Sequence, residues 1–328
     1  MNKFAVLTSV ISPASIALFT GEKYDLSKGV VCKLLKTGIN HTYKIESENH
    51  FFIFRIYSYN WRTKEEIAEE LKLLNLLKQN GISISFPIAD KKGELIQTIE
   101  APEGKRFAVM FSYAHGRKIQ HYNSEIHYLI GKMMAQIHNL TQNLKLQRIQ
   151  YQSDILLDQS IKNIQEFLSA DTEEMQFLLH TQPILEEKIV HANTAFIRSG
   201  IVHLDIWFDN FNISGDQKIT LFDFDFCGNG WLCLDVAYYL MQLYNTEKNE
   251  AERAQKTASF LAGYESVQII SDEEKKLLPY LGVCLYYFYL GVQCARFNNW
   301  SNTFLNEVYL KRYITVFIKG YYDFIKNK

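Results

Sequence analysis

Several features are scarce in this chain of 328 residues, and each scarcity disfavours a class of protein. Cysteine is limited to five residues with no C-x-x-C pair, which argues against a disulfide scaffold or a zinc ribbon and favours reduced thiols. Neither sign of charge is in excess, since 35 Lys and Arg balance 36 Asp and Glu, whereas nucleic-acid-binding proteins usually have a basic surplus. Low-complexity tracts, blocks of like charge and internal repeats are also lacking.

Long hydrophobic runs are lacking too, so the sequence predicts no membrane span. The most apolar stretch, Leu277–Phe297, is interrupted by proline, glutamine and arginine, and it falls short of the roughly 20 apolar residues that a spanning helix needs. Lys3 and the apolar residues 4–11 resemble a weak secretory signal. However, Ser12 followed by a proline is typical of a helix start and predicts a short helix over Pro13–Phe19. We therefore expect a cytoplasmic protein.

Aromatic side chains, in contrast, are plentiful, at 14% of the residues. They form either a surface that stacks on ligands or a bulky core, and composition does not decide between the two. The apolar share of 47% is that of an ordinary globular protein and excludes intrinsic disorder. The length predicts two domains or one bilobal unit, since a domain commonly has roughly 100–200 residues.

The first third of the chain is predicted to form strands around one helix. Apolar and β-branched runs bounded by turn residues indicate the strands. These strands are Val30–Lys36, Thr42–Glu46, Phe51–Tyr57, Glu94–Ile99 and Arg106–Ser112. The helix is predicted over Thr63–Gln79, because Thr63 and Glu66 form a capping box and leucines recur at helical spacing as far as Asn80-Gly81.

The rest of the chain is predicted to be mainly helical, with one loop-and-strand segment at Ile201–Cys227. The predicted helices are Ser124–Leu140 with Ser124 as its cap, Ile155–Leu168, Glu173–His191 with 192–199 continuing or following it, Leu234–Leu243, Ala251–Tyr264, Asp272–Arg296 and Asn302–Ile325. The order of elements predicts an α+β fold that divides into residues 1–111 and residues 112–328.

The segment Ile201–Asp235 contains the candidate chemistry. Two apolar runs flank a polar loop, and a turn at 214–217 predicts a hairpin that brings Asp205, Asn210 and Asp223 close together. Mg²⁺ prefers oxygen ligands, so one amide oxygen and one carboxylate, completed by phosphate oxygens, form a sensible site. An Asp five residues before the Asn can accept a hydroxyl proton during phosphoryl transfer. The alternative is that all three merely cap turns, which Asp and Asn favour.

Three short motifs here resemble those of the aminoglycoside phosphotransferase and choline kinase superfamily, the small-molecule relatives of protein kinases. The loop H-L-D-I-W-F-D-N from His203 is similar to the family's H-G-D-x-x-x-x-N. The run F-D-F-D from Phe222 is similar to its I-D-F-D, and D-V-A from Asp235 is similar to its D-L-A. The resemblance covers roughly residues 12–324 and is nearest to the stress-response kinase and type II homoserine kinase branches.

This resemblance implies a bilobal protein-kinase-like fold. The N-lobe would be a small antiparallel sheet with one main helix, the C-lobe larger and mostly helical, and the active site would lie between them. The resemblance also assigns roles to residues of the motifs. Asp205 would be the catalytic base, assisted by His203, which braces the loop together with Asp235; Asn210 and Asp223 would hold Mg²⁺, and Asp225 would support the site.

Two positions in the loop differ from the family pattern, and two others have more than one possible role. Leu204 stands where the family usually has Gly, and a leucine disfavours a positive φ and fills space beside the base. Asp209 also replaces a common Gly, and it either adds a carboxylate near the metal or faces solvent; we expect solvent. Trp207 and Phe208 either line an acceptor pocket or pack the loop down.

The first third contains matching candidates for nucleotide binding. A kinase-type site needs a cation on a strand and a Glu on the following helix that holds this cation. Arg55 is the one cation within Phe51–Tyr57, and a guanidinium can grip phosphate or carboxylate through two hydrogen bonds. Glu70 is preferred to Glu69 as its partner, because its spacing resembles the family's E-x-x-x-L-x-x-L. The alternatives are that Arg55 is a surface strand residue and that Glu70 is a solvated charge on the helix.

Two further nucleotide contacts rest on shorter resemblances. The run G-I-N-H-T-Y from Gly38 resembles the family's G-x-N-x-T-Y, which implies that Asn40 and backbone amides organise a phosphate turn. The run V-M-F-S-Y at 109–113 resembles the hinge strand, which implies that Met110 and Phe111 contact adenine. Core packing explains both apolar residues equally well.

Other residues are expected to support the structure. His138, in an A-x-x-H pattern at the end of a predicted helix, is expected to be a buried hydrogen-bonding residue and not a catalyst. Most aromatic side chains are expected in the core, while Tyr286 or Tyr289 are candidates for the acceptor pocket.

Together, the motifs predict a phosphotransferase that uses ATP and Mg²⁺ to phosphorylate a hydroxyl of a small molecule, such as an amino alcohol, a homoserine-like or an aminoglycoside-like acceptor. Two alternatives stay open: a protein Ser/Thr kinase of the stress-response type, and a nucleotide-binding protein with little turnover. The partners would be the nucleotide and the acceptor, without nucleic acid or membrane.

Overall fold

A computed structural model describes residues 4–26, 29–215 and 217–327. Lys3, which opens the segment considered as a secretory signal, lies outside the described residues, as does Asp216 in the predicted turn. The chain forms two compact units. The first comprises Met1–His115 and Arg296–Asn302, and the second Gly116–Ala295 and Thr303–Lys328. The sequence placed the division after residue 111 and did not indicate that 296–302 returns to the first unit.

The first unit is built on a six-stranded antiparallel sheet. Its strands are β1 (Val31–Thr37), β2 (Asn40–Ser47), β3 (His50–Tyr57), β4 (Pro87–Ile88), β5 (Ile96–Ala101) and β6 (Gly104–Ser112). The order is β1-β2-β3-β6-β4, and β5 also pairs with β6. The five predicted strands are present, and β4 was missed because two residues are too few for a periodic pattern.

Two helices accompany this sheet, α1 (Pro13–Lys23) and α2 (Lys64–Gln79). The predicted start of α1 at Pro13 is confirmed, and the helix continues four residues beyond Phe19. The capping box of α2 is also confirmed: Thr63 Oγ1 accepts from the Glu66 amide at 3.2 Å, and the Glu66 carboxylate accepts from the Thr63 amide at 2.9 Å.

The two faces of β3 carry different chemistry. Phe54 and Ile56 lie in an apolar cluster with Ile16 of α1. Because side chains alternate along a strand, Arg55 and Tyr57 lie on the opposite face, where both hydrogen-bond to Glu70 of α2. One face of the sheet is therefore an ordinary core, and the other contains a buried ionic group.

The second unit is mainly helical. Its helices are α3 (Ser124–Thr141), α4 (Gln159–Gln165), α5 (Glu173–Val190), α6 (Cys233–Thr246), α7 (Glu250–Glu265), α8 (Asp272–Ala295), α9 (Glu307–Tyr313) and α10 (Gly320–Lys326). Each helix predicted in this half corresponds to a helical segment of the structure. The helices α3 and α7 approach each other closely, since a Cβ on Gly131 would lie 2.0 Å from the Phe260 carbonyl oxygen, so only glycine fits there.

Four details of the predicted helices were wrong. The cap of α3 is Asn123, whose side chain accepts from the Ile126 amide at 3.1 Å, and not Ser124. The helix predicted from Ile155 begins as a π-helical turn, Asp154–Asp158. Residues 192–199 contain only a short 3₁₀ turn before a strand, and the last helical region begins at Glu307, because Asn306 caps it.

Two small antiparallel ribbons complete the second unit. The strands are β7 (Ser199–Val202), β8 (Phe211–Ile213), β9 (Ile219–Leu221) and β10 (Gly228–Trp231). β7 pairs with β10, and β8 pairs with β9, which confirms the predicted hairpin. Arg117 forms two backbone hydrogen bonds with Ile213 and so extends the second ribbon.

The helix α8 is long and apolar enough to cross a membrane by length and composition. However, 72% of its most apolar window is buried inside the protein, as the sequence analysis expected of a core helix. Its tyrosines pack among other rings; Tyr286, for example, lies 5.6 Å from Tyr321 and donates to Asn245 at 2.6 Å. Much of the aromatic content is therefore core packing.

Candidate active site

The loop that follows β7 contains three of the candidate residues, His203, Asp205 and Asn210, and we call residues 203–210 the site loop. Asp235, at the start of α6, anchors its first two residues. One carboxylate oxygen accepts from the His203 amide at 2.8 Å and the other from the Leu204 amide at 2.6 Å. His138 adds a contact of 3.0 Å from Nε2 to the same carboxylate. These groups are all buried, so the start of the loop is held in one position.

Leu204 adopts the backbone conformation that the sequence analysis considered unfavourable for leucine. Its φ is +59°, in the left-handed region, and its side chain is fully buried. The Tyr289 hydroxyl donates to its carbonyl, while its amide donates to Asp235. The surrounding contacts therefore hold a leucine in the conformation for which a glycine would be suited.

Asp205 lies at the centre of a hydrogen-bonded cluster. Asn210 Nδ2 donates to its Oδ2 at 2.7 Å and to its backbone carbonyl at 2.9 Å. The Tyr238 hydroxyl donates to its Oδ1 at 2.7 Å, and its amide donates to His203 Nδ1 at 3.0 Å. His203 thus accepts a hydrogen bond from the backbone of Asp205, which suits a residue that positions the loop.

Asp223 is brought next to this cluster through the hairpin. The Phe222 amide donates to the Asn210 carbonyl at 3.0 Å, so Asp223 follows directly on a residue that is bonded to the site loop. Asp223 has a φ of +65° and precedes a short turn, Phe224–Phe226. Arg148 donates to the carbonyl of Asp225. Asp225 is buried, whereas Asp223 is partly exposed.

The donor set around Asn210 and Asp223 fits a hard divalent cation. The amide nitrogen of Asn210 is engaged by Asp205, so its carbonyl oxygen is the atom suited to ligation. Over the described ranges, no group of three or more His, Cys, Asp or Glu side chains is arranged to hold a metal alone. A cation here would take one amide and one carboxylate oxygen from the chain and complete its shell with phosphate or water, as Mg²⁺ commonly does.

In the first unit, Arg55 and Glu70 form a buried ion pair. Arg55 Nη2 donates to Glu70 Oε1, and both side chains are almost inaccessible to solvent. Tyr57 completes a triangle: its hydroxyl accepts from Arg55 at 2.7 Å and donates to Glu70 Oε2 at 2.9 Å. The guanidinium also lies over the rings of Tyr57 and Phe111, at 4.8 and 4.6 Å from their centroids. The burial of both side chains argues against the two alternatives, a surface strand residue for Arg55 and a solvated helix charge for Glu70.

The turn between β1 and β2 contains Asn40. The Gly38 amide donates to the Asn40 carbonyl at 3.2 Å, and the Asn40 side chain accepts from the Ser58 amide at 3.4 Å. A Cβ on Gly38 would lie 3.7 Å from Trp300 Nε1. The segment 296–302 therefore packs beside this turn, a neighbour that the sequence did not predict.

Met110 and Phe111 lie in β6, and both are buried. Met110 pairs with Phe54 of β3 on one side and with Ile88 of β4 on the other. Phe111 likewise has neighbouring strands on both sides. Their backbones are thus part of the sheet, and the strand ends at Ser112.

The remaining loop residues have partners within the second unit. Asp209 pairs with Lys118 at 2.6 Å in a partly exposed contact. The rings of Trp207 and Phe208 lie 4.6 Å apart and line a small cavity of about 30 Å³ together with Gln242. Both rings are partly exposed, which fits a pocket wall better than a packed core.

Two tyrosines near the candidate residues, Tyr57 and Tyr238, were missed in the sequence, and Tyr289 was expected at the acceptor pocket without its contact to Leu204. Tyr57 is two residues from Arg55 on the same strand face, so strand alternation could have found it. Tyr238 is three residues from Asp235 on α6, so helical spacing could have placed both on one face. The contact of Tyr289 with Leu204 spans 85 residues and has no local signal.

Comparison with solved structures defines the class of protein. The chain matches a microcompartment-associated aminopropanol kinase with a TM-score of 0.76 at 19% identity, over 94% of this chain and 95% of that one. It matches the amicoumacin kinase hAmiN, in complex with AMP-PNP, Ca²⁺ and Ami, with the same score and identity, over 94% of each chain. These likenesses confirm the predicted α+β, protein-kinase-like fold.

Comparison of sequences identifies the family. A model of the phosphotransferase enzyme family APH matches residues 31–270, so the chain belongs to that family. It is also 25% identical to a homoserine kinase from Agrobacterium fabrum, over 88% of this chain and 87% of that protein. The predicted superfamily is therefore confirmed, and the protein is a small-molecule kinase-like phosphotransferase.

Proposed function

We propose that this protein transfers the γ-phosphoryl group of ATP to a hydroxyl of a small molecule in the presence of Mg²⁺. The observation that carries the proposal is the cluster in which Asn210 holds Asp205 through both its carboxylate and its backbone carbonyl. Because its amide nitrogen is bonded to Asp205, the amide oxygen of Asn210 is the atom that could ligate a cation, next to the turn that carries Asp223. A base and two metal-binding oxygens from one short segment suit phosphoryl transfer, which needs positioning and charge neutralisation more than covalent chemistry.

In this reaction, Asp205 takes the proton of the acceptor hydroxyl. A bond forms between the acceptor oxygen and the γ-phosphorus, the bond from that phosphorus to the β–γ bridging oxygen breaks, and ADP leaves. Mg²⁺, held through Asn210 and Asp223, would neutralise charge on the phosphate oxygens. His203 and Asp235 keep the site loop in place, and Asp225 supports the turn that carries Asp223.

Nucleotide binding is assigned to the first unit. We assign the phosphates to Arg55, which Glu70 and Tyr57 orient, and to the turn at Asn40. The adenine is assigned to the end of the strand that contains Met110 and Phe111. Because the backbones of these two residues already pair with neighbouring strands, we expect the backbone contacts to adenine from residues 113–115.

The acceptor is proposed to be a small amino alcohol or a homoserine-like compound. The names of the relatives support this class, since they include a homoserine kinase, an aminopropanol kinase and an amicoumacin kinase. Trp207 and Phe208, beside Asp205, are proposed to form one wall of the acceptor site.

The test is ATP turnover with a panel of acceptors that contains homoserine, aminopropanol, choline and aminoglycosides. The variants are Asp205→Asn and, as a matched control in the same loop, Asp209→Asn. We expect Asp205→Asn to lower kcat by about 10²- to 10⁴-fold, because general-base catalysis contributes that much. Asp209→Asn should retain kcat within a few-fold, since Asp209 pairs with Lys118 at the surface and does not act as the base in the proposed reaction.

Unchanged turnover in Asp205→Asn would contradict the mechanism. Transfer of labelled phosphate to proteins, without transfer to any member of the panel, would favour the protein-kinase alternative. Thermal stabilisation by ATP without transfer to any acceptor would identify a nucleotide-binding protein with little turnover.

A further inference from the structure

The carboxylate of Asp205 accepts hydrogen bonds on both of its oxygens. Tyr238 donates to Oδ1 and Asn210 donates to Oδ2, each at 2.7 Å. The two donors are buried, with Tyr238 only 2% exposed, whereas Asp205 itself is partly exposed. The carboxylate is thus held from its buried side by two donors.

Two donors on different oxygens restrict a carboxylate more than one donor does. A hydrogen bond to a single oxygen leaves the group able to rotate about its Cβ–Cγ bond. Since Tyr238 and Asn210 approach opposite oxygens, rotation in either direction breaks one of the two bonds. Orientation of this kind matters for a general base, which must lie within hydrogen-bond reach of the proton that it accepts.

The position of Tyr238 is itself fixed. Its ring lies 5.4 Å from that of Tyr289, and the Tyr289 hydroxyl donates to the carbonyl of Leu204. The Tyr289 ring also packs at 5.6 Å against Phe226, in the turn after Asp223. We call Tyr238 and Tyr289 the tyrosine pair. It connects α6 and α8 with the site loop at two successive residues.

Tyr238 remains a donor at any working pH. Burial, followed by the nearby Asp205 carboxylate, raises the pKa of its hydroxyl well above the ordinary value of 10. A neutral hydroxyl close to a carboxylate donates its proton to the hydrogen bond without transferring it.

We propose that Tyr238 is a positioning residue for phosphoryl transfer, which orients the carboxylate of Asp205 toward the acceptor hydroxyl. This inference rests on the proposed function, in which Asp205 is the base. It adds a residue outside the three family motifs, one whose hydroxyl contacts the proposed base and which would act through that base.

The kinetic test compares Tyr238→Phe with Tyr287→Phe. Both changes remove one buried hydroxyl and keep the ring, but Tyr287 donates to the Leu178 carbonyl at 3.1 Å, away from the site loop. We expect Tyr238→Phe to lower kcat by roughly 10- to 100-fold while KM for ATP stays within about 2-fold of the wild type. Tyr287→Phe should leave both constants unchanged. Equal kcat values for Tyr238→Phe and the wild type would overturn the proposal.

A double-mutant comparison tests whether Tyr238 acts through Asp205. In the background of Asp205→Asn, where the carboxylate is already lost, adding Tyr238→Phe should lower residual turnover by no more than about 2-fold. A full further 10-fold loss in that background, roughly the effect expected of Tyr238→Phe alone, would contradict action through Asp205 and indicate a merely structural effect. Far-UV circular dichroism of each variant checks that it is folded.

Thermal unfolding of the wild type, Tyr238→Phe, Asp205→Asn and the double variant gives a readout that needs no activity. If the contact exists in solution, the sum of the Tm decreases of Tyr238→Phe and Asp205→Asn should differ from the Tm decrease of the double variant by roughly 2 °C or more. Additive Tm changes would overturn the inference whatever the kinetics. A wild type without turnover but with non-additive Tm changes would overturn the proposed function, and the positioning role with it, while confirming the contact.

Discussion

Leu204 is the residue at which side-chain packing and backbone conformation conflict most directly. Its φ of +59° costs an L-residue about 1–2 kcal/mol, but its side chain is fully buried. Burying a leucine side chain contributes roughly 1.5–3 kcal/mol, which is enough to offset that strain. The contacts of Asp235 and Tyr289 with its amide and carbonyl add to the same balance.

This balance predicts an unusual order of stability for two substitutions. Leu204→Ala removes the buried side chain and keeps the strain, whereas Leu204→Gly also removes the strain. In a helix or strand interior, a protein with Gly is less stable than the same protein with Ala by roughly 0.5–1 kcal/mol. At this position we expect Leu204→Gly to be more stable than Leu204→Ala by about 1 kcal/mol, with both below the wild type. Urea unfolding measures the order, and a more stable alanine variant would contradict the assignment of strain.

At the scale of elements, α2 and β3 are joined by the ion pair of Arg55 and Glu70. Tyr57 shares the pair through two hydrogen bonds, as acceptor from Arg55 and as donor to Glu70. Such a group is costly to bury, and its partners must all be present for it to be tolerated. We therefore regard it as a fixed geometric support for the proposed phosphate site and not as a source of net stability.

Glu70→Gln and Glu69→Gln form a matched pair of substitutions on one helix. Glu70→Gln removes the buried carboxylate that pairs with Arg55 and should lower the free energy of unfolding by about 3–5 kcal/mol. Glu69 pairs with Lys72 at 3.6 Å, and the Lys72 side chain is 71% exposed, so Glu69→Gln should cost less than about 1 kcal/mol. Chemical denaturation decides between them, and equal losses would contradict the assignment of Glu70 as partner of Arg55.

At the scale of the whole molecule, each unit contains a buried histidine that resists protonation. Burial, aided by Arg106 and opposed by Glu103, lowers the pKa of His41 in the first unit to about 4. Burial, aided by Lys256 and opposed by Glu247, lowers the pKa of His127 in the second unit to about 4. In the unfolded chain, both imidazoles would titrate near the ordinary value of 6.5.

These shifts predict loss of stability in mild acid. Between pH 6.5 and about 4, the unfolded chain binds protons that the folded chain does not. The contribution of both histidines to stability is thus complete above pH 6.5 and declines as the pH falls through that window. Unfolding free energies measured from about pH 7 to about pH 5 should show this decline.

His127→Asn provides the control for the pH dependence. Asparagine removes the titrating ring but can keep a hydrogen bond with the Tyr239 hydroxyl, which His127 Nδ1 contacts at 2.7 Å. We expect a smaller decline with falling pH than in the wild type. An unchanged pH dependence would show that His127 does not contribute to the acid sensitivity.

Much of this protein follows from local sequence patterns. The capping box at Thr63, the hairpin between β8 and β9, and the spacing of Asp205 and Asn210 all involve residues within about ten positions of each other. Their side chains and backbones meet as soon as the local segment folds, so the sequence alone predicts them. The helix caps and the start of the last helical region were less predictable, because several Asn, Ser and Thr residues compete for each end.

Other features depend on tertiary contacts. Tyr238 reaches Asp205 across 33 positions, Tyr289 reaches Leu204 across 85, and Lys118 reaches Asp209 across 91. The positive φ of Leu204 and the packing of 296–302 beside the Gly38 turn also result from distant segments. The sequence by itself thus determined which residues carry the proposed chemistry, since the family motifs are short and contiguous. Only the tertiary structure decided how these residues are held, because burial and hydrogen bonding between distant helices set their orientation.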